Sequence, residues 1–406
     1  MLATWTMELE GPALPQELFD LIIDELADDL ESLRSCALVS SSFYSRARVF
    51  SRIRVCTRRG DHPLGELHKV LEGSPAHAAR VESLHLWDYI LGRPDDRSWI
   101  EASQPSDSNV AQLSPLLVSL VRLCITILPG CIFWANISGT LRNSIQHALT
   151  LPTLTCVELE GLRDLPLTLL AHCPALRTLA LKWVTFDVDA AGNWDAAGQW
   201  DWTFPVALPG CVGSPPTQLE TLSLHLDTPV LDHLVRWILH PQSPLDISRL
   251  RSLTCSPRDH LAIQLLLTAS APSLQCLRID TSSDLDRILD LREALHLHTL
   301  SLDIFPPVDE WLFEFLIFPS PQQPLALILN ICTDNARLED VQLANADRVL
   351  ADFQWIMSLT VILSPISPGD TAKPERFIDM SGAFMPEMPL LVARRGRGAL
   401  RVLRSS

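Results

Sequence analysis

The stretch Leu274-Gln275-Cys276-Leu277-Arg278-Ile279 carries apolar residues at its first, fourth and sixth positions. The same spacing recurs as Val81-Leu84-Leu86, Leu120-Leu123-Ile125, Leu154-Val157-Leu159 and Leu176-Leu179-Leu181. It returns as Leu219-Leu222-Leu224, Leu250-Leu253-Cys255 and Leu297-Leu300-Leu302, with a late copy at Ile356-Leu359-Val361 and a degenerate one at Leu325-Leu327-Leu329. The last two apolar positions alternate with a polar or small residue, the period of a strand buried on one face. The first position seats the turn leading into that strand. One such triplet alone is an amphipathic strand and no more. Many copies along one chain are the mark of stacked repeats.

Helix-like segments such as Asp232–Leu239 and His260–Ala269 lie between triplets. Copies from Leu250 to Leu297 follow one another at roughly the period of leucine-rich repeats, and earlier gaps carry insertions. Strand then helix, repeated, predicts an irregular leucine-rich-repeat horseshoe over residues 81–400. Regular repeats of this kind place an Asn after the triplet. Here the matching positions hold Tyr89, Leu162, Val184, Asp227, Arg258, Ser282 and Phe305, so the reading predicts no asparagine ladder and uneven curvature.

The chain has 406 residues, 47% of them apolar, which is enough for a sizeable core and excludes a disordered chain. A formal net charge of −16 argues against nucleic acid as a partner, because phosphate binding requires clustered Lys and Arg. None of the ten cysteines forms a C-x-x-C pair, so buried free thiols in a reducing compartment are expected. The first residues lack the basic and apolar regions of a signal peptide. Pro115 and Arg122 break the longest apolar run, Leu113 to Leu128, so no membrane span is expected. The compartment implied is cytoplasmic, nuclear or both.

Residues 11–50 read as a compact helical module, followed by a helical linker over 51–80. Pro15 suits a first helical turn, and Leu18, Ile22 and Leu26 recur every four residues as one apolar stripe. Leu30, Leu33 and Ala37 share a face on a second helix, and Phe43, Tyr44 and Ala47 fall on a third. Three short helices cannot build a stable core alone. Such a module leans on the rest of the chain or on a partner.

The run Leu14-Pro15-x-Glu17-Leu18, followed by Ile22, Leu26, Leu30, Val39 and Phe43, resembles an F-box. Ser40 and Phe43 stand where Cys and Trp are common in that motif. The stretch Ser32 to Ser40 is similar to that of F-box proteins of mushroom-forming fungi, and Pro-x-Leu entries such as Pro152-Thr153-Leu154 resemble their associated repeats. The resemblance implies an α/β protein with an N-terminal three-helix F-box followed by the horseshoe. It implies a non-enzymatic substrate-recognition subunit of a Skp–cullin–F-box ubiquitin ligase. Leu14, Pro15, Glu17, Leu18, Ile22, Leu26, Leu33, Val39 and Phe43 would bind a Skp-family adaptor, and through it a cullin. The solenoid would hold a protein substrate of unknown identity. A plain solenoid scaffold, with the helical module only as its cap, is the alternative.

Trp194, Trp200 and Trp202 lie in the long insertion Trp183 to Pro216, among Gly, Asp and Pro. They are candidate substrate anchors, although large rings in a loop more often fold back on the core. The arginines between Arg46 and Arg59 and between Arg394 and Arg404 read as solvated faces. His296 and His298 lack neighbouring ligands, so neither a metal nor another cofactor is expected. No nucleophile elbow, phosphate loop, H-E-x-x-H or dinucleotide fingerprint occurs.

Overall fold

The structure is a computed structural model. It describes residues 52–57, 63–89, 116–128, 130–187, 216–256, 260–280, 289–304, 325–333, 356–365, 377–379 and 400–405, together with Leu18 and Ser32. In chain order the elements begin with β1 (Arg52–Thr57), α1 (Pro63–Glu72), α2 (Pro75–Ala78), β2 (Ser83–Tyr89), β3 (Arg122–Leu128) and β4 (Ile132–Phe133). Then come α3 (Gly139–Leu149), β5 (Cys156–Glu160), β6 (Leu162–Arg163), α4 (Thr168–Ala171), β7 (Thr178–Lys182), β8 (Thr217–Gln218) and β9 (Thr221–His225). Next are α5 (Thr228–Leu239), β10 (Leu245–Asp246), β11 (Ser252–Cys255), α6 (His260–Ser270), β12 (Cys276–Asp280) and β13 (Thr299–Ile304). The last are β14 (Leu325–Thr333), β15 (Ile356–Pro365), β16 (Phe377–Asp379) and β17 (Leu400–Ser405).

One 13-stranded sheet dominates, in the order β1-β2-β3-β5-β7-β9-β11-β12-β13-β14-β15-β17-β16. Its neighbours are parallel except for the closing β16–β17 pair. This overturns the expected three-helix F-box followed by a leucine-rich-repeat horseshoe. The described chain is a large, mostly parallel sheet with few helices, not a regular strand–helix alternation. The physical reason is that the triplet pattern fixes which face of a strand is buried and nothing about the connection that follows. The connections do differ: α5 and α6 span 12 and 11 residues, whereas α4 has only 4. Ladder strands also begin inside the span read as a helical linker, since β1 pairs with β2. The module at 11–50 lies outside the described residues apart from Leu18 and Ser32, both helical.

Within the sheet the register stacks like on like. Leu179, Leu222, Leu253, Leu277, Leu300 and Leu327 fall in one row across six successive strands. Leu181, Leu224, Cys255, Ile279, Leu302 and Leu329 fall in the next, and both rows are buried. The first residues of the triplets from Val81 and Leu120 through Leu250, Leu274 and Leu297 are buried as well. Helix residues Leu231, Leu234, Val235 and Ile238 of α5 and Ile263 and Leu266 of α6 join the same core. The helices therefore cover the apolar side of the sheet and leave the other side to polar side chains.

Two repeated devices tie one turn to the next. At successive strand entrances from β2 to β13, one carbonyl accepts from two successive amides at the start of the following strand. Thr155 accepts from Arg177 and Thr178, Arg177 from Glu220 and Thr221, and Glu220 from Arg251 and Ser252, at 2.8–3.0 Å. The middle residue of the Pro-x-Leu entries adds a stitch: Thr153 donates to the Leu120 carbonyl at 2.9 Å, and Ser273 to the Leu250 carbonyl at 2.8 Å. These bonds satisfy carbonyls that the tight turns would otherwise leave unpaired.

At the strand exits no asparagine fills the bend. Leu162 and Val184 occupy two of those positions, and both are buried. The backbone pairs with itself instead. Ile132 donates to the Gly161 carbonyl at 2.9 Å, Gly161 to Lys182 at 3.0 Å and Trp183 to His225 at 2.9 Å, while β4 pairs with β6. Gly161 has φ +77°, a left-handed conformation that its missing Cβ permits. Among the described residues, no helix is long and apolar enough to cross a membrane.

Candidate functional site

On the polar side of the sheet side chains converge with no covering helix among the described residues. Its charges pair across adjacent strands. Arg122 on β3 meets Glu158 on β5 at 2.6 Å, Lys182 on β7 meets Glu160 on β5 at 2.8 Å, and Arg278 on β12 meets Asp303 on β13 at 2.8 Å. Asn330 on β14 extends the last pair by donating to Ser301 and Asp303. Each pair contributes only about 0–1 kcal/mol to stability. Their effect is to hold long side chains in fixed positions over the sheet. Between the pairs, β7, β9 and β11 present the small residues Thr178, Ala180, Thr221, Ser223, Ser252 and Thr254, with His225 at the exit of β9.

His225, Ser256 and Asp280 sit together, with His225 Nδ1 3.1 Å from Ser256 Oγ and that hydroxyl donating to Asp280 at 3.3 Å. The residue types are those of a hydrolytic triad, but the connectivity is not. Nucleophilic catalysis needs the histidine between serine and carboxylate, accepting the serine proton while the carboxylate orients the ring. Here the serine lies in the middle and gives its proton to the carboxylate. The trio is a polar link between β9, β11 and β12.

Two thiols of this face, Cys124 and Cys156, are held in the unreactive form. Cys124, Cys131, Cys156, Cys173, Cys255 and Cys276 are free. Burial pushes Cys124 up to about 12 and Cys156 up to about 11, so both are protonated at neutral pH, whereas a nucleophilic thiol must ionise. Among the described residues, no group of three or more His, Cys, Asp or Glu could hold a metal ion.

At the first strands the face turns aromatic and cationic. His85 and Trp87, two apart on β2, stack with ring centroids 5.8 Å apart, and the Arg54 guanidinium lies 5.2 Å from the Trp87 ring centre. His85 Nε2 is 3.1 Å from Thr126 Oγ1. Burial, and then the charge of Arg54, lower the His85 pKa to about 4; Arg122 acts in the same direction and Glu158 in the opposite one. The unfolded chain titrates this ring near 6.5, so between roughly 6.5 and 4 it binds a proton that the folded chain rejects. The stabilising effect of a neutral His85 is complete above that window and is lost as pH falls through it. Melting temperatures of the parent and of His85→Gln, measured from pH 7.5 to 4, should fall more steeply for the parent. Equal slopes would contradict this assignment.

A second exposed aromatic group lies at the strand exits. Trp183 is about half exposed at 51%, with φ +51° and the Lys182 ammonium 4.3 Å from its ring centre. Phe133 is exposed under the Arg163 guanidinium at 5.7 Å. Cation–ring pairs of this kind contribute about 0.5–1 kcal/mol at exposed sites.

Of the residues expected to dock the adaptor, Leu18 is helical and 44% exposed. Leu14, Pro15, Glu17, Ile22, Leu26, Leu33, Val39 and Phe43 lie outside the described residues, as do Trp194, Trp200 and Trp202. Sequence reasoning missed the Arg54–His85–Trp87 group. The signal was the outward position of His85 and Trp87 in the Val81-Leu84-Leu86 copy, where polar-face residues follow from the same alternation. No model of a known protein family matches the chain, and no curated protein matches it.

Proposed function

We propose that the chain is the substrate-recognition subunit of a Skp–cullin–F-box ubiquitin ligase. The segment from Leu14 to Phe43 binds the Skp-family adaptor, and the polar face of the sheet holds a protein substrate. The observation that carries the second half is a broad strand face, free of a covering helix among the described residues, whose charges are held by cross-strand pairing. A face of this kind is preorganised for a protein partner, because its side chains lose little freedom on binding. The first half rests on the Leu14-Pro15-x-Glu17-Leu18 resemblance, and an exposed Leu18 is in keeping with it. The chain needs no chemistry of its own in this role. Holding a target near a conjugating enzyme raises the effective concentration of its lysines.

The test is capture of the tagged chain from cells, with Leu18→Asp/Ile22→Asp beside the parent. The parent should bring down adaptor, cullin and substrate. The double variant should lose adaptor and cullin while retaining substrate, since a buried aliphatic contributes about 1.5–3 kcal/mol and a charge in its place adds a penalty. Undiminished adaptor capture by the double variant would overturn the assignment.

A further inference from the structure

We propose that the exposed aromatic edge at the strand exits, Trp183 with Phe133 and Arg163, is a docking surface for a protein partner, taking an extended acidic segment that carries aromatic side chains. The proposal deepens the reading of the chain as a recognition subunit and rests on it only for the partner being a protein.

Trp183 carries two local costs. Its φ of +51° is left-handed, a region in which a bulky side chain is an outlier. Its ring stands half in water, while its neighbours Leu181 and Val184 are buried. Backbone strain persists only where the surrounding structure imposes it, and it gathers at ligand clamps. Here the surroundings are firm. The Trp183 amide donates to the His225 carbonyl at 2.9 Å, and the Trp183 carbonyl accepts from Cys131 Sγ at 3.9 Å. The ring is therefore carried on a fixed backbone, which suits tryptophan as an anchor at a protein interface.

Phe133 and Arg163 belong to the same ladder. Phe133 is in register with Arg163, and the chain that follows Trp183 is the next one across, because the Thr185 amide donates to the Leu162 carbonyl. Three adjacent chains at about 4.8 Å spacing put the two exposed rings within the length of a few extended residues. Successive side chains of one segment would meet them in turn. The charges choose the sign of that segment. Lys182 already pairs with Glu160, and the Asp164 carboxylate accepts from the Thr185 hydroxyl at 3.3 Å. Arg163 is exposed and lies over the Phe133 ring, with no ion pair among the described residues. It is the cation of this edge left without a carboxylate. Aromatic side chains suit the rings beside it, since ring pairs attract beyond the area they bury. A nucleic acid fits less well: one unpaired cation on a chain of net charge −16 cannot neutralise a run of phosphates. The same net charge opposes an anionic bilayer, whose surface attracts polybasic segments. At physiological ionic strength it opposes an acidic peptide only beyond about 8 Å, so at contact the local guanidinium decides.

The probe is a fluorescein-labelled Glu-Phe-Glu-Phe-Glu peptide, followed by anisotropy on the full chain near physiological salt. The controls are Gln-Phe-Gln-Phe-Gln, without charge, and Glu-Ala-Glu-Ala-Glu, without rings. The first peptide should bind saturably and each control several-fold more weakly. Arg163→Gln should weaken binding about threefold, the size of one exposed ion pair. Trp183→Gly should weaken it about tenfold or more, as loss of an anchoring tryptophan does. The same variant should melt no lower than the parent, because glycine is at ease in the left-handed conformation. Arg177→Gln, whose parent residue pairs with Glu220 elsewhere on the chain, should leave binding unchanged. Equal affinity of Trp183→Gly and the parent, or equal binding of the alanine peptide, would overturn the surface. A Trp183→Gly chain that melts well below the parent would make the ring a packing element and overturn it too. Displacement of the peptide by phosphatidylserine vesicles or by oligouridylate would reassign the edge to a bilayer or a nucleic acid and overturn the protein partner. Adaptor binding measured on the same samples separates the two readings. Peptide binding absent with adaptor binding intact removes this surface alone, and the reverse result removes the ligase subunit alone.

Discussion

Leu253→Asp should abolish cooperative folding of the central ladder. Leu253 is fully buried and sits in register between Leu222 and Leu277, both also fully buried. Losing a buried leucine costs about 2–5 kcal/mol even when alanine replaces it. A carboxylate there has no cation to meet, and an unpaired buried charge adds several kcal/mol more. The sum reaches the whole stability of an ordinary domain, about 5–15 kcal/mol. Strand β11 joins β9 to β12 in the ladder, so a break there separates the strands on either side. Leu253→Ala should be the graded version, lowering the urea midpoint without removing the transition. Thr254→Asp, one residue along on the polar side and half-buried, should cost far less. A Leu253→Asp chain that unfolds in urea like the parent would contradict the register.

The second large effect belongs to the strand exits. At Gly161 the backbone is left-handed, and a side chain would run into the Ile127 carbonyl, with the Gly130 carbonyl at 3.0 Å and the Ile127 Cβ at 3.2 Å. The obstacles are mainly backbone atoms, which cannot swing aside as a flexible side chain can. Gly161→Val therefore combines a left-handed penalty of about 1–2 kcal/mol with overpacking of about 1–3 kcal/mol. Equilibrium unfolding should show a loss of roughly 2–5 kcal/mol. The exposed Gly139, which has open space around its missing Cβ, is the control, and Gly139→Ala should leave stability nearly unchanged. Equal effects at the two glycines would mean that the bend does not depend on Gly161.

What the sequence made legible is the buried half of each strand. Leu274, Leu277 and Ile279 occupy the three positions that their spacing predicts, and so do their counterparts in neighbouring copies. Alternation with a period of two is a direct consequence of strand geometry, so it survives without knowledge of the rest. The connections were not legible. Leucine is at home in a helix as well as in a packed turn, so Leu167, Leu169 and Leu170 read no differently from a long helix. They form a four-residue turn of helix and its flank. The missing asparagines were seen, but what replaces them was not. Short pairings such as Ile132 with Leu162 leave no periodic trace, because two residues are too few to show a period. The grouping of Arg54, His85 and Trp87 was hidden for another reason. Arg54, His85 and Trp87 come from two strands, and only their register brings the guanidinium over the ring.

The most direct test of the central claim is a titration of the purified full chain with a purified Skp-family adaptor, followed by calorimetry. The account predicts saturable one-to-one binding, lost in Leu18→Asp/Ile22→Asp, with the variant's main melting transition unchanged. Absence of binding by the folded parent chain, or equal binding by the double variant, would contradict it.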